Sequence, residues 1–174
     1  MIKRSPIRPR LLFGGAALLA ALALPASTLA ATVNGTPGND HLVGTASADT
    51  INGYGGNDWI EGRGGNDKIY GGPGWDVISG GDGNDWISGG DGADLILGGA
   101  GADIIYGGNG QDVIYGGPGR DIIYGGYGND VIHVGGDNTP DAVHCGPGWD
   151  VVYLGRYDIA DSSCERVIRT LEKV

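Results

Sequence analysis

The 174-residue chain holds one Phe, one Met, two Cys and three His. Its histidines, His41, His133 and His144, form no H-E-x-x-H, so a zinc-hydrolase helix has no candidate. No G-x-S-x-G occurs, which excludes a hydrolase elbow. No Gly-Lys-Ser/Thr follows the glycine-rich runs, so none of them is a P-loop. Basic residues are also scarce, 11 Lys and Arg against 21 Asp and Glu, a formal charge of −10. That balance argues against nucleic acid or an anionic membrane as partner. One apolar run, Leu11 to Leu24, is too short for a comfortable membrane span.

Glycine is abundant instead: 37 residues, most of them in one pattern. From Gly35 to His133 a nine-residue unit is written eleven times without insertion. Seven copies from Gly71 (GGPGWDVIS through GGYGNDVIH) keep Gly at places 1, 2 and 4, Asp at place 6 and Ile at place 8. Four looser copies precede them: GTPGNDHLV, GTASADTIN, GYGGNDWIE and GRGGNDKIY. A fixed short period dictates architecture before any other signal.

The pattern lacks the three- and four-residue spacing of an amphipathic helix, and each glycine would cost a helix about 1 kcal/mol. Places 7 to 9 read as a short strand with place 8 alone pointing inward: Leu42, then Ile51, Ile60, Ile69, Ile78, Ile87, Ile96, Ile105, Ile114, Ile123 and Ile132. Places 1 to 6 read as a turn. Glycine supplies positive φ there, and Asn39, Asn57, Asn66, Asn84 and Asn129 at place 5 are expected to do likewise. The expected fold is all-β: stacked coils of two repeats each, forming two parallel sheets that face each other over a thin aliphatic core.

Asp40, Asp49, Asp58, Asp67, Asp76, Asp85, Asp94, Asp103, Asp112, Asp121 and Asp130 occupy place 6 of every copy. Repeats n and n+2 lie one strand spacing apart, about 4.8 Å, so two columns of carboxylates stack along the two edges. Neighbours repel by around 1 kcal/mol in water and by more in a half-buried turn. A divalent cation between turns converts that repulsion into attraction. Carboxylates and glycine-turn carbonyls are hard oxygen ligands, which suit Ca²⁺, whereas zinc prefers Cys and His and the repeat has no Cys.

The unit G-G-x-G-x-D-x-U-x resembles the nonapeptide of RTX, or haemolysin-type, calcium-binding repeats over Gly35 to His133. The resemblance implies a parallel β-roll, a two-sheet β-solenoid, with Ca²⁺ between turns n and n+2, held by the eleven place-6 aspartates and by turn carbonyls, with nine ions as the upper limit. The early copies depart from the motif, with Ser47 at place 4 and Thr36, Thr45, Tyr54 and Arg63 at place 2.

Residues 1–30 read as a secretory signal peptide: Lys3, Arg4, Arg8 and Arg10, the apolar run, Pro25, then small residues before Ala31. The expectation is a secreted, extracellular protein with no integral membrane span after signal cleavage. Residues 31–134 form the roll. After His133 the rhythm slips by two residues, resumes at Asp141-x-Val143, and yields one more copy from Cys145, CGPGWDVVY, whose Asp150 is a further candidate for a calcium site. Residues 135–174 therefore read as a degenerate repeat and a C-terminal cap covering the last core layer. The CGPGWD run with the downstream CERV resembles the end of small secreted bacterial RTX-like proteins. Cys145 and Cys164 pair as a disulfide staple or remain free thiols; an oxidising compartment favours the pair.

The leading function is non-catalytic calcium binding coupled to folding. Two alternatives differ in class. One is an adhesion module whose outward aromatic ladders (Tyr70, Tyr106 and Tyr124; Tyr115 and His133) meet a cell-surface or glycan partner. The other is an enzyme acting on polysaccharide, for which the chain offers no catalytic constellation.

Overall fold

The computed structural model describes residues 29–170. The signal-like segment therefore lies almost wholly outside the described residues. Among those residues there are sixteen strands and no helix, and none is a helix long and apolar enough to cross a membrane.

Alternate strands separate into two sheets. One holds β1 (Thr32–Asn34), β3 (Thr50–Asn52), β5 (Lys68–Pro73), β7 (Trp86–Asp91), β9 (Ile104–Asn109), β11 (Ile122–Tyr127), β13 (Ala142–His144) and β15 (Ile159–Ala160), in that order. The other holds β2 (His41–Val43), β4 (Trp59–Gly64), β6 (Val77–Asp82), β8 (Leu95–Ala100), β10 (Val113–Tyr115), β12 (Val131–His133), β14 (Val151–Leu154) and β16 (Arg166–Arg169). All neighbours are parallel, and like places pair: Ile69 with Ile87, Ile87 with Ile105, Ile105 with Ile123. One coil thus takes two repeats, as the period predicts.

The strands differ from expectation in length. In β4 to β9 and β11 they run six residues, through places 1 to 3, rather than three. Glycine pairs accompany the extension in β5 to β9 and β11, whereas β4 runs on through Arg63 and β10 stops at Tyr115 although Gly116 and Gly117 follow. Gly72, Gly90, Gly108 and Gly126 oppose one another across the sheet with no side chain to push the backbones apart. The turn contracts accordingly to places 4 to 6.

Inward positions are also more numerous than place 8 alone. Ile51 through Ile132 are fully buried, and the place-6 aspartates from Asp49 onward are buried with them. Place 1 lines the same interior. A Cβ on Gly71 would stand 2.4 Å from Asp76 Oδ2 and 2.5 Å from the Gly89 carbonyl oxygen, so only glycine fits.

The place-5 asparagines do not carry the positive φ expected of them. Positive φ falls at places 2 and 4. The asparagines instead form a rung between coils: Asn57 Oδ1 accepts from Trp75 N at 3.0 Å, and Asn66 Oδ1 from Asn84 N at 2.9 Å. A short amide in a tight turn reaches the next backbone N–H, which satisfies a donor the turn leaves free.

Past His133 the roll continues. The insertion around Asp137 raises the pairing offset from 18 to 20 residues, and the core face stays inward: Ile123 pairs with Val143 and Ile132 with Val152. Val134, Cys145 and Leu154 are buried with them. A disulfide joins Cys145 to Cys164, tying the last coil to β16, which pairs in parallel with β14.

Candidate metal centre

From Asp49 onward each place-6 carboxylate joins two coils. Its Oδ1 accepts the backbone N–H of the place-6 residue one coil earlier, typically at 2.8 to 2.9 Å: Asp58 N to Asp76 Oδ1, Asp67 N to Asp85 Oδ1, Asp103 N to Asp121 Oδ1. Two directional ladders result. One climbs Asp40, Asp58, Asp76, Asp94, Asp112, Asp130, Asp150 and ends on Glu165 Oε2. The other climbs Asp49, Asp67, Asp85, Asp103, Asp121, Asp141 and ends on Asp158 Oδ1.

The second oxygen has no such partner. Oδ2 of Asp58, Asp67, Asp76, Asp85, Asp94, Asp103, Asp112, Asp121, Asp130, Asp141 and Asp150 is buried without a hydrogen-bond donor. Beside it lies a second acceptor. The point a Cβ would occupy on Gly107 is 2.5 Å from Asp112 Oδ2 and 2.4 Å from the Gly125 carbonyl oxygen. Leaving a charged acceptor buried without a partner is strongly unfavourable. Burial accordingly pushes the carboxyls up, Asp94, Asp121, Asp130 and Asp141 to about 7, and Asp67, Asp76, Asp103 and Asp112 to about 6. Backbone N–H donation at Oδ1 offsets part of that rise. A proton or a cation resolves an acceptor facing an acceptor.

The turn supplies further oxygens. Places 2 and 4 have positive φ from Gly72 and Gly74 onward through Gly126 and Gly128. The same conformation appears at Tyr54 (φ 74°) and Arg63 (φ 80°), where a side chain makes it strained. That two non-glycine residues adopt it ties the conformation to the turn's geometry as well as to glycine's freedom. It stacks the carbonyls so closely that a Cβ on Gly92 would lie 1.6 Å from the Gly74 oxygen, and one on Gly110 1.7 Å from the Gly92 oxygen.

Among the described residues no group of three or more His, Cys, Asp and Glu side chains converges as a metal site. A cation here would therefore take only part of its shell from carboxylates and the rest from main-chain carbonyls. That donor set is all oxygen, which fits Ca²⁺ and does not fit zinc.

Nine of the eleven aspartates that the period singles out have the unpartnered oxygen, and two do not. Thr36 N and Oγ1 donate to Asp40 Oδ2 at 2.5 and 2.9 Å. Thr45 N reaches Asp49 Oδ2 at 2.5 Å and Thr45 Oγ1 reaches Asp49 Oδ1 at 3.1 Å. Asp141 and Asp150, outside the uninterrupted period, have it instead. The CGPGWD run already offers Asp150 as a candidate, and the rhythm at Asp141-x-Val143 was the signal that could have placed Asp141.

The aromatic ladders spend ring faces on one another. Tyr106 stacks on Tyr124 at 4.8 Å, Tyr124 on His144 at 4.9 Å, and His133 lies between Tyr115 and Tyr153 at 4.7 and 4.4 Å. Trp86 bridges Tyr70 and Tyr106. Such stacks stabilise neighbouring strands by about 0.2 to 1 kcal/mol per pair.

No curated protein matches the chain. The model of a family described as RTX calcium-binding nonapeptide repeat (4 copies) matches residues 34–69, 54–87, 70–105, 79–114 and 106–139. Those segments cover more than half of the chain and contain nine of the eleven unpartnered carboxylates, Asp141 and Asp150 lying beyond them. The chain belongs to the RTX calcium-binding nonapeptide repeat family, whose repeats bind Ca²⁺.

Proposed function

We propose that this protein is a secreted, non-catalytic β-roll that folds by taking up Ca²⁺ along both edges. The observation that carries the reading is the column of buried Oδ2 atoms with no donor. The ions would be held by Asp58, Asp67, Asp76, Asp85, Asp94, Asp103, Asp112, Asp121 and Asp130, joined by Asp141 and Asp150, together with glycine-turn carbonyls. Asp40 and Asp49 complete the ladders at their start. Bound calcium supplies positive charge among buried acceptors, and its binding free energy becomes folding free energy.

Secretion is supported by the basic and apolar pattern of residues 1–30 and by the Cys145–Cys164 disulfide, which persists in oxidising compartments. The chain would leave the cell as an acidic coil and order itself where calcium is abundant.

The test is a calcium titration of the chelated protein by far-UV circular dichroism, with magnesium as control. Calcium alone should drive a cooperative gain of β-structure. Asp103→Asn sharpens it, because an amide keeps the Oδ1 bond and puts a donor beside the Gly116 carbonyl oxygen. That variant should bind fewer ions; an unchanged stoichiometry would remove Asp103 from the site.

A further inference from the structure

Each column of turns begins on a threonine clasp, and side chains take over turn hydrogen bonds near its far end. At the start of one column Thr36 closes on Asp40, and at the start of the other Thr45 closes on Asp49. Neither threonine has the positive φ that begins at Tyr54 and Arg63. At the far end of the second column the inserted residues intervene. Asp137 Oδ2 accepts Gly119 N at 2.7 Å, and the Thr139 hydroxyl lies 2.5 Å from that carboxylate and 2.6 Å from the Gly119 carbonyl oxygen. In the coil before, the equivalent donor, Gly101 N, reaches the Pro118 carbonyl of the following turn. At the end of the first column Ser163 Oγ accepts from Cys145 N and Gly146 N at 3.0 Å each, and bonds Asp161 Oδ1 at 2.5 Å. One coil earlier, Gly126 N reaches the Cys145 carbonyl.

We infer that the two hydroxyl–carboxylate clasps Thr36/Asp40 and Thr45/Asp49 are metal-independent stops that set where each calcium column begins. The inference rests on the calcium reading above and goes beyond it by saying where the ions start. At the start of each column, threonine donors occupy the carboxylate oxygen that a cation would otherwise neutralise. Near the far end, side chains take over turn hydrogen bonds that the backbone makes elsewhere, but Asp141 and Asp150 keep a bare Oδ2. A starting turn closed by its own donors has no unpartnered acceptor to offer, so the gap beside it takes no ion. Loading begins at the Tyr54–Gly56 and Arg63–Gly65 turns, where positive φ at both places and a bare Oδ2 first occur together.

Thr36 gives the sharpest test, because Thr36→Gly turns GTPGND into GGPGND, the sequence of the interior copies. Native mass spectrometry of the wild-type chain in calcium sets the baseline. Thr36→Gly should raise the count by one ion, in the gap between the Gly35 and Gly53 turns. It should also remove amide-exchange protection of residues 35–43 in chelator and restore it in calcium. Thr36→Ser, which keeps the hydroxyl, should leave both readouts as in wild type. Thr36→Val should lose the chelator-resistant protection without gaining an ion. A Thr36→Gly protein with the wild-type ion count and wild-type exchange overturns the clasp while leaving the calcium reading intact. A wild-type chain that holds no calcium at all overturns both.

Discussion

The interior turns and the turns at the two ends obey one topology with opposite chemistry. In the interior, Asp76 to Asp130 keep one carboxylate oxygen for the ladder and leave the other buried and bare. At the ends, Asp40, Asp49 and Asp158 have both ladder geometry and local donors, from Thr36, Thr45 and Gly155. The backbone hardly distinguishes them beyond places 2 and 4. A repeat protein whose every unit depended on a ligand would have no unit stable enough to start from. Local donors at the ends supply such units, at the cost of a shorter binding column.

The largest break in the comparison is removal of calcium. With chelator at pH 7.5 the interior β-signal should be lost almost entirely, while amides of the first coil and of residues 142–169 retain measurable exchange protection. Uniform loss across the chain would abolish the distinction.

Acid should substitute for the metal in the interior alone. Buried carboxyls such as Asp94 and Asp121 sit near 7 in the fold against 3.8 in the open chain. The folded state therefore binds more protons, and the stability of the calcium-free roll is greatest below about 4 and falls as pH rises to about 7. Circular dichroism in chelator should show β-structure returning between pH 7 and 4. The calcium midpoint should move to higher concentration over the same range, because protons compete for the same oxygens.

A pair of substitutions separates the two kinds of turn at smaller amplitude. Asp103→Ala should remove the ions on both sides and flatten the calcium transition. Asp49→Ala should leave the ion count unchanged and cost only the first coil, which calorimetry in saturating calcium would read as a small drop in melting temperature. Reduction of Cys145–Cys164 tests the terminal coil by itself. It should weaken the end by about 3 kcal/mol, the order expected for a loop of some twenty residues, and leave interior ion binding in place. The smallest effect belongs to Asn66→Ala, which deletes one rung between turns and should cost about 1 kcal/mol by thermal melting.

Much of this was legible because the period is strict. A nine-residue rhythm with one inward aliphatic per copy admits one stacking, and the pairing of Ile87 with Ile105 follows from it. What escaped has physical reasons. Thr36 and Thr45 look like decay of a glycine motif, and only the direction of their N–H and hydroxyl groups reveals a replacement. Asparagine at place 5 tolerates positive φ as a type, but its neighbour at place 4 already makes the bend. The depth of the aspartates was hidden because glycine at place 1 leaves interior room for the carboxylate, a gap that a turn pattern does not display. Asp141 was obscured by two inserted residues that change a sequence offset without changing a spatial one.

The ladder also has a direction in time. Each coil's backbone N–H is met by a carboxylate that lies 18 or 20 residues later in the chain. A chain that emerges N-terminus first therefore always trails one coil whose partner has not yet arrived, and closing it waits on residues still to come. Only when Glu165 is delivered does the last interior donor, Asp150 N, find its acceptor.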